Sequence, residues 1–448
     1  MGEPATIRSH GPAELEAIVA ETLDEARARG VDQAEVAVSH DLGLSATARL
    51  GDVEHLEYTN DRGIGITVYC GSRKGSASTS DISPEAIREA VGKACTFATF
   101  TASDKHAGLA DADRMASEVP DLQLDHPWAL DATAAIDMAI ACEAAALGFD
   151  KRITNSEGAS VWTNRGVRAY GNTHGFIGSY AKTGHGISCS VLGEADGDMQ
   201  RDYFYSASRD PAELEAAEKI GETAASRAVR RLGARKIATT KAPVLFIPEL
   251  ARGFIGHAMG AIAGGAQYRR SSFLLDAVGE KIFPDFINVE ERPHIPKGMA
   301  SAPYDSEGVA TWDRDIVAGG VLQGYILSSY SARRLGLETT ANAGGAQNLI
   351  VPGNAGNLET LLADMGTGLL VEELIGYGVN AVTGDYSRGA VGQWVENGEI
   401  QYPVHEVTIA GNLRDLYSRI VAVGCDQDPR GGIRCGSILV DGMTIAGS

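Results

Sequence analysis

The chain has 448 residues, of which 44% are hydrophobic and 22% charged. These values are typical of a globular protein that is too long for one hydrophobic core, so we expect two large domains. The formal net charge of −20 repels phosphate backbones at long range and argues against nucleic acid as a partner.

The sequence also argues against a membrane protein. No run approaches 18 apolar residues, and the first residues, Met1-Gly2-Glu3-Pro4, contain no basic or apolar leader, so we expect neither a transmembrane helix nor a signal peptide. The six cysteines include no Cys-x-x-Cys pair, which does not indicate a disulfide framework in a chain of this length. We therefore expect a cytoplasmic protein with reduced cysteines.

The first half of the chain combines helices with groups of short strands. Apolar spacing and capping residues predict helices over 12–30, 84–97, 132–147 and 211–232. Alternating patterns predict strands at 35–39, 44–50, 53–58 and 63–70 and a series of strands and turns over 151–205, whereas the Asp-rich segment 103–127 indicates a surface loop. The order is not a regular βαβ alternation, so we expect an α+β domain with an antiparallel or mixed sheet over residues 1–240.

A second, β-rich domain is expected over residues 241–448, beginning after Thr239-Thr240-Lys241. A buried strand at 242–248 precedes a helix rich in small residues near 249–264. Further strands are predicted at 317–330, 379–382, 392–395, 400–409 and 437–440, and helices at 358–365, 370–374 and 413–422. Asn397-Gly398 is a hairpin turn signal, and together these elements predict a barrel-like or sandwich core with a few helices.

Residues 253–261 read Gly-Phe-Ile-Gly-His-Ala-Met-Gly-Ala and have the frame of a metalloprotease helix without its metal ligands. With several other segments, this one resembles the TldD/PmbA family, and within it the PmbA (TldE)-type subunit. The resemblance extends from Arg62-Gly63-Ile64-Gly65 to the segment 442–447. Between these, it is densest at 305–308, 384–390, 396–400 and 402–404.

The resemblance implies a pseudo-active site in this chain. In the TldD-type subunit a His-Glu-x-x-x-His helix and a later Cys hold a catalytic zinc; here the first His position is Gly256, the Glu position is His257 and the second His position is Ala261. The Cys position falls near Gly389 or Ala390 if a one-residue gap is allowed. Glycine and alanine side chains cannot ligate zinc, so we expect no catalytic residue, metal or cofactor in this chain and a zinc ion in the partner subunit.

Four side chains near these motifs have two interpretations each. His257 is either an ordinary helix histidine, buried or facing a partner, or a ligand of a relocated metal site. Asp305 and Glu307 either contact the partner or a substrate amine, or act as carboxylates that cap a turn. Arg388 either grips a carboxylate or pairs with a neighbouring acid such as Asp385.

Three hypotheses for the function follow. The first, implied by the resemblance, is the non-metal subunit of a TldD–TldE heterodimer that cleaves peptides and unfolded polypeptides, with a homodimer left open when the partner is absent. The second is a binding or regulatory protein of the gyrase-modulator type that has no proteolytic role. The third is an independent hydrolase whose site is assembled from distant residues, for example His185 with an acid.

Overall fold

A computed structural model of the chain describes residues 10–447. The first part forms a six-stranded antiparallel sheet in the order β3-β2-β1-β4-β5-β6, with four helices. In chain order its elements are α1 (Pro12–Ala28), β1 (Gln33–Arg49), β2 (Asp52–Cys70), β3 (Arg73–Thr79), α2 (Pro84–Phe100), α3 (Ala132–Phe149), β4 (Ile153–Asn172), β5 (Ile177–Ala195), β6 (Asp198–Ser208) and α4 (Ala217–Arg230).

This part of the chain consists of two αβββα units of the same order, which the sequence analysis did not detect. The first strands of the two units, β1 and β4, pair at the centre of the sheet, from Glu35↔Asn172 to Ala48↔Ala159. The predicted strands at 35–39 and 44–50 are one continuous strand, because residues 40–43 pair with neighbours on both sides. The predicted strands at 53–58 and 63–70 merge in the same way into β2.

The two faces of the sheet have different surroundings. Val36, Val38 and Ala46 of β1 point into cores that the helices cover, with α1 and α2 over one end and α3 and α4 over the other. Successive residues of a strand point to opposite faces, so Ala37 and Ser39 lie on the other face, where they line a cleft.

Helix α3 has the length and apolar content to span a membrane, with a mean hydropathy of 1.5, which alone is weak evidence. Here one face of α3, which includes Ala139, Cys142 and Ala146, packs against the sheet and α4. The buried Glu143 carboxylate on the same helix accepts the main-chain N–H groups of Leu50 and Gly51 at 2.9 Å each. These contacts hold α3 against the β1–β2 turn in the folded domain.

The second part of the chain contains a small closed barrel. Strands β14-β13-β12-β7-β17 form the barrel, closed by pairing of β14 with β17 and extended by β15, and a five-stranded sheet in the order β10-β9-β8-β11-β16 lies beside it. In chain order the elements are β7 (Thr240–Phe246), α5 (Pro248–Ala261), α6 (Gly264–Tyr268), β8 (Val289–Glu291), β9 (Arg314–Ala318), β10 (Val321–Leu322), α7 (Ser329–Leu335), β11 (Leu349–Val351), α8 (Leu358–Met365), β12 (Gly368–Ile375), β13 (Asp385–Glu396), β14 (Glu399–Asn412), α9 (Leu413–Ser418), β15 (Ile420–Val423), β16 (Ile433–Cys435) and β17 (Ile438–Ala446).

The expected α+β class and the barrel-like C-terminal core are confirmed, and Asn397 and Gly398 form the predicted turn with φ of 52° and 78°. The helix predicted at 370–374 is wrong: this apolar run is β12, which pairs with both β7 and β13. A short apolar run fits a buried helix and a buried strand equally, and here the two neighbouring strands decide between them.

Other predicted elements are shorter than expected. The strand predicted at 317–330 turns at Gly319-Gly320, whose φ angles are 56° and 77°, and gives way to α7. The segment 379–382 is a turn in which the Asn380 side chain accepts the N–H groups of Val382 and Thr383. The helix predicted at 413–422 ends at Ser418 because the next residues pair with β17 as β15.

The segment 103–127, predicted to be a surface loop, is partly buried between the two parts of the chain. Leu109, Leu122 and Leu124 are almost fully covered. The guanidinium of Arg333 on α7 donates to the carbonyl oxygens of Gly108 and Leu109. The segment therefore connects the N-terminal sheet to the second part of the chain.

We expect Glu143→Ala to lower the free energy of unfolding by about 2–3 kcal/mol, because two main-chain N–H groups of the β1–β2 turn lose their charged acceptor. Urea unfolding of the whole chain, followed by circular dichroism, measures the change. Glu218→Ala on the exposed face of α4 is the matched control, and its effect should stay within about 0.5 kcal/mol. Equal effects of the two substitutions would contradict this role of Glu143.

Candidate functional site

Helix α5 carries the motif and lies against the barrel. It follows β7 directly, and Pro248 occupies its first turn, where the missing N–H has no cost. The Phe254 ring stacks on Phe246 with centroids 5.2 Å apart, and the Tyr417 hydroxyl donates to the Phe254 carbonyl at 3.0 Å. These contacts fix the orientation of the helix about its axis.

The remaining face of α5 is accessible and almost free of side chains. It consists of Gly253, Gly256, His257 and Gly260, which share one side of the helix because their spacings are three and four residues. Side chains added at Gly253 and Gly260 would meet no atom within 4 Å. Another chain is therefore able to approach the backbone of α5 closely at this face.

The three ligand positions of the pseudo-active site have different surroundings. Residues 256 and 261 differ by about 140° around a regular helix; Gly256 lines an apolar pocket of about 290 Å³ with Ile433, whereas Ala261 is buried. Ala390 is also buried, within β13.

His257 lies beside two polar side chains of β13. Its ring meets the Tyr386 ring edge-on at a centroid distance of 6.1 Å. Burial, together with the nearby Arg388 cation, lowers the pKa of His257 below its usual value. The Tyr386 hydroxyl and the Arg388 Nε are buried and have no hydrogen-bond partner among the described residues.

Arg388 does not pair with Asp385, which was one of its two interpretations. The Asp385 carboxylate accepts the Thr383 hydroxyl at 2.7 Å instead, and one Arg388 Nη donates to the carbonyl oxygen of Leu374 at 3.3 Å. The guanidinium therefore keeps unused donors beside His257.

A zinc ion does not fit the side chains at positions 256, 257, 261 and 390. Catalytic zinc requires three protein ligands, and His257 is the one donor in this set. Across residues 10–447, moreover, no group of three or more His, Cys, Asp or Glu side chains is arranged to hold a metal ion. The six cysteines are all free thiols.

Asp305 and Glu307 organise the loop that faces the N-terminal sheet. The Asp305 carboxylate accepts the main-chain N–H groups of Glu307, Val309 and Ala343 at 2.9–3.0 Å. Burial and the Glu307 charge nevertheless raise the pKa of Asp305 to about 7. Glu307 accepts the N–H of Ser329 at the start of α7, so both carboxylates serve as turn or helix caps in this structure.

Between this loop and the N-terminal sheet lies a cleft of about 910 Å³, here called the sheet cleft. Its floor is the face of β1, β2, β4 and β5 that the helices leave uncovered, and its opposite wall is formed by residues 299–306 and 343–347. The cleft was not predicted from the sequence, although small residues alternate with apolar ones at Ala37, Ser39, Gly63 and Gly65, and this pattern is a usable signal for it.

Models of one protein family match almost the whole chain. The PmbA/TldA metallopeptidase domain 1 matches residues 34–98, its central domain residues 125–232 and its C-terminal domain residues 239–447. The first two matches fall on the two αβββα units.

Full-length relatives and solved structures agree with these matches. The chain is 50% identical to the metalloprotease PmbA of Escherichia coli O157:H7, covering 97% of this chain and 96% of the relative. It is 49% identical to a PmbA homolog of Haemophilus influenzae, covering 93% and 92%. A crystal structure of a putative modulator of DNA gyrase from Bacteroides thetaiotaomicron superposes with a TM-score of 0.92 at 28% identity, covering 97% of this chain and 99% of that one. TldE of Thermococcus kodakarensis shares the fold, with a TM-score of 0.82 at 20% identity over 97% and 100%.

We expect the purified chain to hold negligible zinc after chelation and reloading, because positions 256, 261 and 390 offer no ligand. Elemental analysis of the dialysed protein measures the zinc content. About one tightly bound zinc per chain would show a relocated site, and His257→Ala would then establish whether His257 is one of its ligands.

Proposed function

Since this chain belongs to the TldD/PmbA metallopeptidase family, we propose that it is the non-metal subunit of a heterodimeric protease. Its partner is a TldD-type subunit that holds the catalytic zinc. The assembled enzyme cleaves peptides and unfolded polypeptides in the cytoplasm.

The observation that carries this proposal is the composition of α5. The helix occupies the place of a metalloprotease helix in a chain 50% identical to a metalloprotease, yet its motif positions 256, 257 and 261 offer one potential donor, His257, and its accessible face consists mostly of glycines. The glycines permit close packing against another subunit, and they supply no side chain that could bind a metal. Its job in the proposal is to support the partner's zinc-bearing helix.

The sheet cleft is suited to an extended polypeptide. The edge strand β3 pairs with β2 alone among the described strands, and Ser78 and Thr79 at its end line the cleft. An edge strand offers unpaired main-chain groups to an added strand, and such binding accepts many sequences. This property matches an enzyme that acts on unfolded chains.

We expect the chain alone to show no peptidase activity and to become part of an active enzyme when the zinc-bearing partner is added. Cleavage of a fluorogenic unfolded protein such as labelled casein measures the activity of each subunit and of the mixture. Substitution of the partner's zinc ligands should abolish turnover. Metal-independent turnover by the chain alone would contradict the proposal and favour an independent hydrolase.

The face of α5 provides a second test. Gly260→Ala should stabilise the isolated chain by up to about 1 kcal/mol, because alanine is the better helix former and Gly260 has open space. The larger Gly260→Leu should weaken association with the partner at least tenfold by blocking close approach. Thermal unfolding and sedimentation measure the two effects.

Gly148 on α3 is the matched control, since it is also an exposed helix glycine with open space. Gly148→Leu should leave association unchanged. Normal heterodimer formation by Gly260→Leu would place the partner elsewhere. Should the chain instead form a stable complex with gyrase in the absence of any protease partner, the non-proteolytic binding role would be favoured.

A further inference from the structure

The floor of the sheet cleft carries positive charge at one end. Arg168 of β4 lies opposite Ser39 of β1 and Tyr180 of β5, and the next row places Lys182 of β5 opposite Gly166 of β4. Directly paired residues of antiparallel strands share a face, so Arg168 and Lys182 both point into the cleft. Arg209, which follows β6, lines the same end.

These cations are poorly compensated. Arg209 is 7% exposed, and its guanidinium donates to the carbonyl oxygens of Thr183, Gly298 and Met299, with no carboxylate partner among the described residues. The Lys182 ammonium makes neither a hydrogen bond nor an ion pair with any other residue between 10 and 447. Burial and repulsion from Arg168 and Arg209 lower the pKa of Lys182 to about 8.

One carboxylate offsets part of this charge. Asp41 lies 3.5 Å from Arg168, and its side chain crosses Gly166, where an added Cβ would lie 2.4 Å from the Asp41 oxygen. A single aspartate next to three cations leaves a net positive end. Arg209 is buried and Lys182 is partly buried, whereas Arg168 is exposed. Buried charge without a counter-ion is costly, and a bound anion would offset the cost at Arg209 and Lys182.

The other end of the cleft is acidic. An adjoining cavity of about 610 Å³ at that end is lined by Glu307 and by Glu35, which accepts the hydroxyls of Tyr69 and Tyr170. An anion is therefore repelled from that end and attracted to the basic end. The opposite charges of the two ends give a ligand one preferred direction.

We propose that the basic end of the sheet cleft, formed by Arg168, Lys182 and Arg209, binds a carboxylate of a polypeptide. The carboxylate comes from the free C-terminus or from an acidic side chain. This inference rests on the proposed function, because it identifies the part of a polypeptide substrate that the subunit holds.

Peptide binding to the isolated chain tests the proposal. The probes are an acetylated tripeptide with a free C-terminus, the same peptide as its C-terminal amide, and two amidated peptides that differ by Glu or Gln. Calorimetry should show at least tenfold tighter binding of the free-acid or the Glu peptide than of its neutral counterpart, and the pair that differs identifies the source of the carboxylate. Equal binding within both pairs, or no binding at all, would overturn the proposal.

Two lysine substitutions separate the site from general charge effects. Lys182→Met should weaken carboxylate binding at least tenfold, whereas Lys219→Met on the exposed face of α4 should not change it. Binding should also weaken above about pH 8 in the native chain, as the Lys182 ammonium loses its proton, and this dependence should vanish in Lys182→Met. Tighter binding of inorganic phosphate than of acetate at this site would point to a phosphate ligand and refute the carboxylate assignment.

Thermal stability checks that Lys182→Met is folded. A lysine whose pKa is depressed on folding destabilises the native state below the folded pKa, and this cost disappears as pH rises from about 8 towards the ordinary value of 10.5. Lys182→Met should therefore melt no lower than the native chain at pH 7. These binding outcomes do not require the partner, so a chain that binds carboxylates but forms no protease would refute the proposed function alone.

Discussion

Pairing between β1 and β4 is the constraint on which the N-terminal half depends. It joins the two αβββα units into one sheet and fixes which residues face the helices and which face the cleft. A slip of one residue would exchange Val38 with Ser39 and place apolar side chains in the cleft. The long central strands make such a slip costly, since both helix-covered cores would lose their contacts at once. The position of Arg168 opposite Ser39 follows from the same register.

The treatment of charge differs between the cleft and the rest of the interior. Several buried ions elsewhere have partners of opposite charge: Arg231 contacts Asp202 and Glu373, and Glu291 contacts Arg314 at 2.7 Å, whereas the buried Glu143 accepts main-chain N–H groups. Arg430 likewise forms ion pairs with Asp428 and Glu249. Its guanidinium also lies over the Phe204 ring, and this contact links the two parts of the chain. In the cleft, by contrast, Arg209 contacts carbonyl oxygens and Lys182 has no partner within residues 10–447. In an acidic chain with many carboxylates available, this lack of compensation indicates a site that is completed by a ligand.

Sequence patterns predicted most helices of the chain, because caps such as Ser83 and Asp131 and apolar spacing act locally. The class of the fold followed from the order of the elements. The lengths of the strands and the assignment of β12 as a strand could not be predicted, because they depend on pairing partners that are distant in sequence. The duplication of the αβββα unit was not predicted from the sequence, and it is recognised from the element order and from the pairing of β1 with β4.

In the candidate site, too, local features could be predicted from the sequence and contacts between distant residues could not. The positions of Gly256, His257 and Ala261 on one helix were readable from the motif, and the absence of zinc donors there follows from residue type. The neighbours of His257 could not be predicted from the sequence, because Tyr386 and Arg388 approach it from β13, more than a hundred residues later. The basic end of the cleft could not be predicted either, because its cations come from separate strands and from the end of β6.

The packing of α5 separates the residues that hold the helix on the barrel from those on its accessible face. Packing of the helix depends on Phe254, Ile255 and Ala258, which are buried against the barrel. Gly253 and Gly260 are exposed on the opposite side of the helix, so side chains at these two positions make no contact with that core. In the proposed heterodimer, this face of glycines would permit close contact with the partner's helix, and the sheet cleft would remain free to hold the polypeptide.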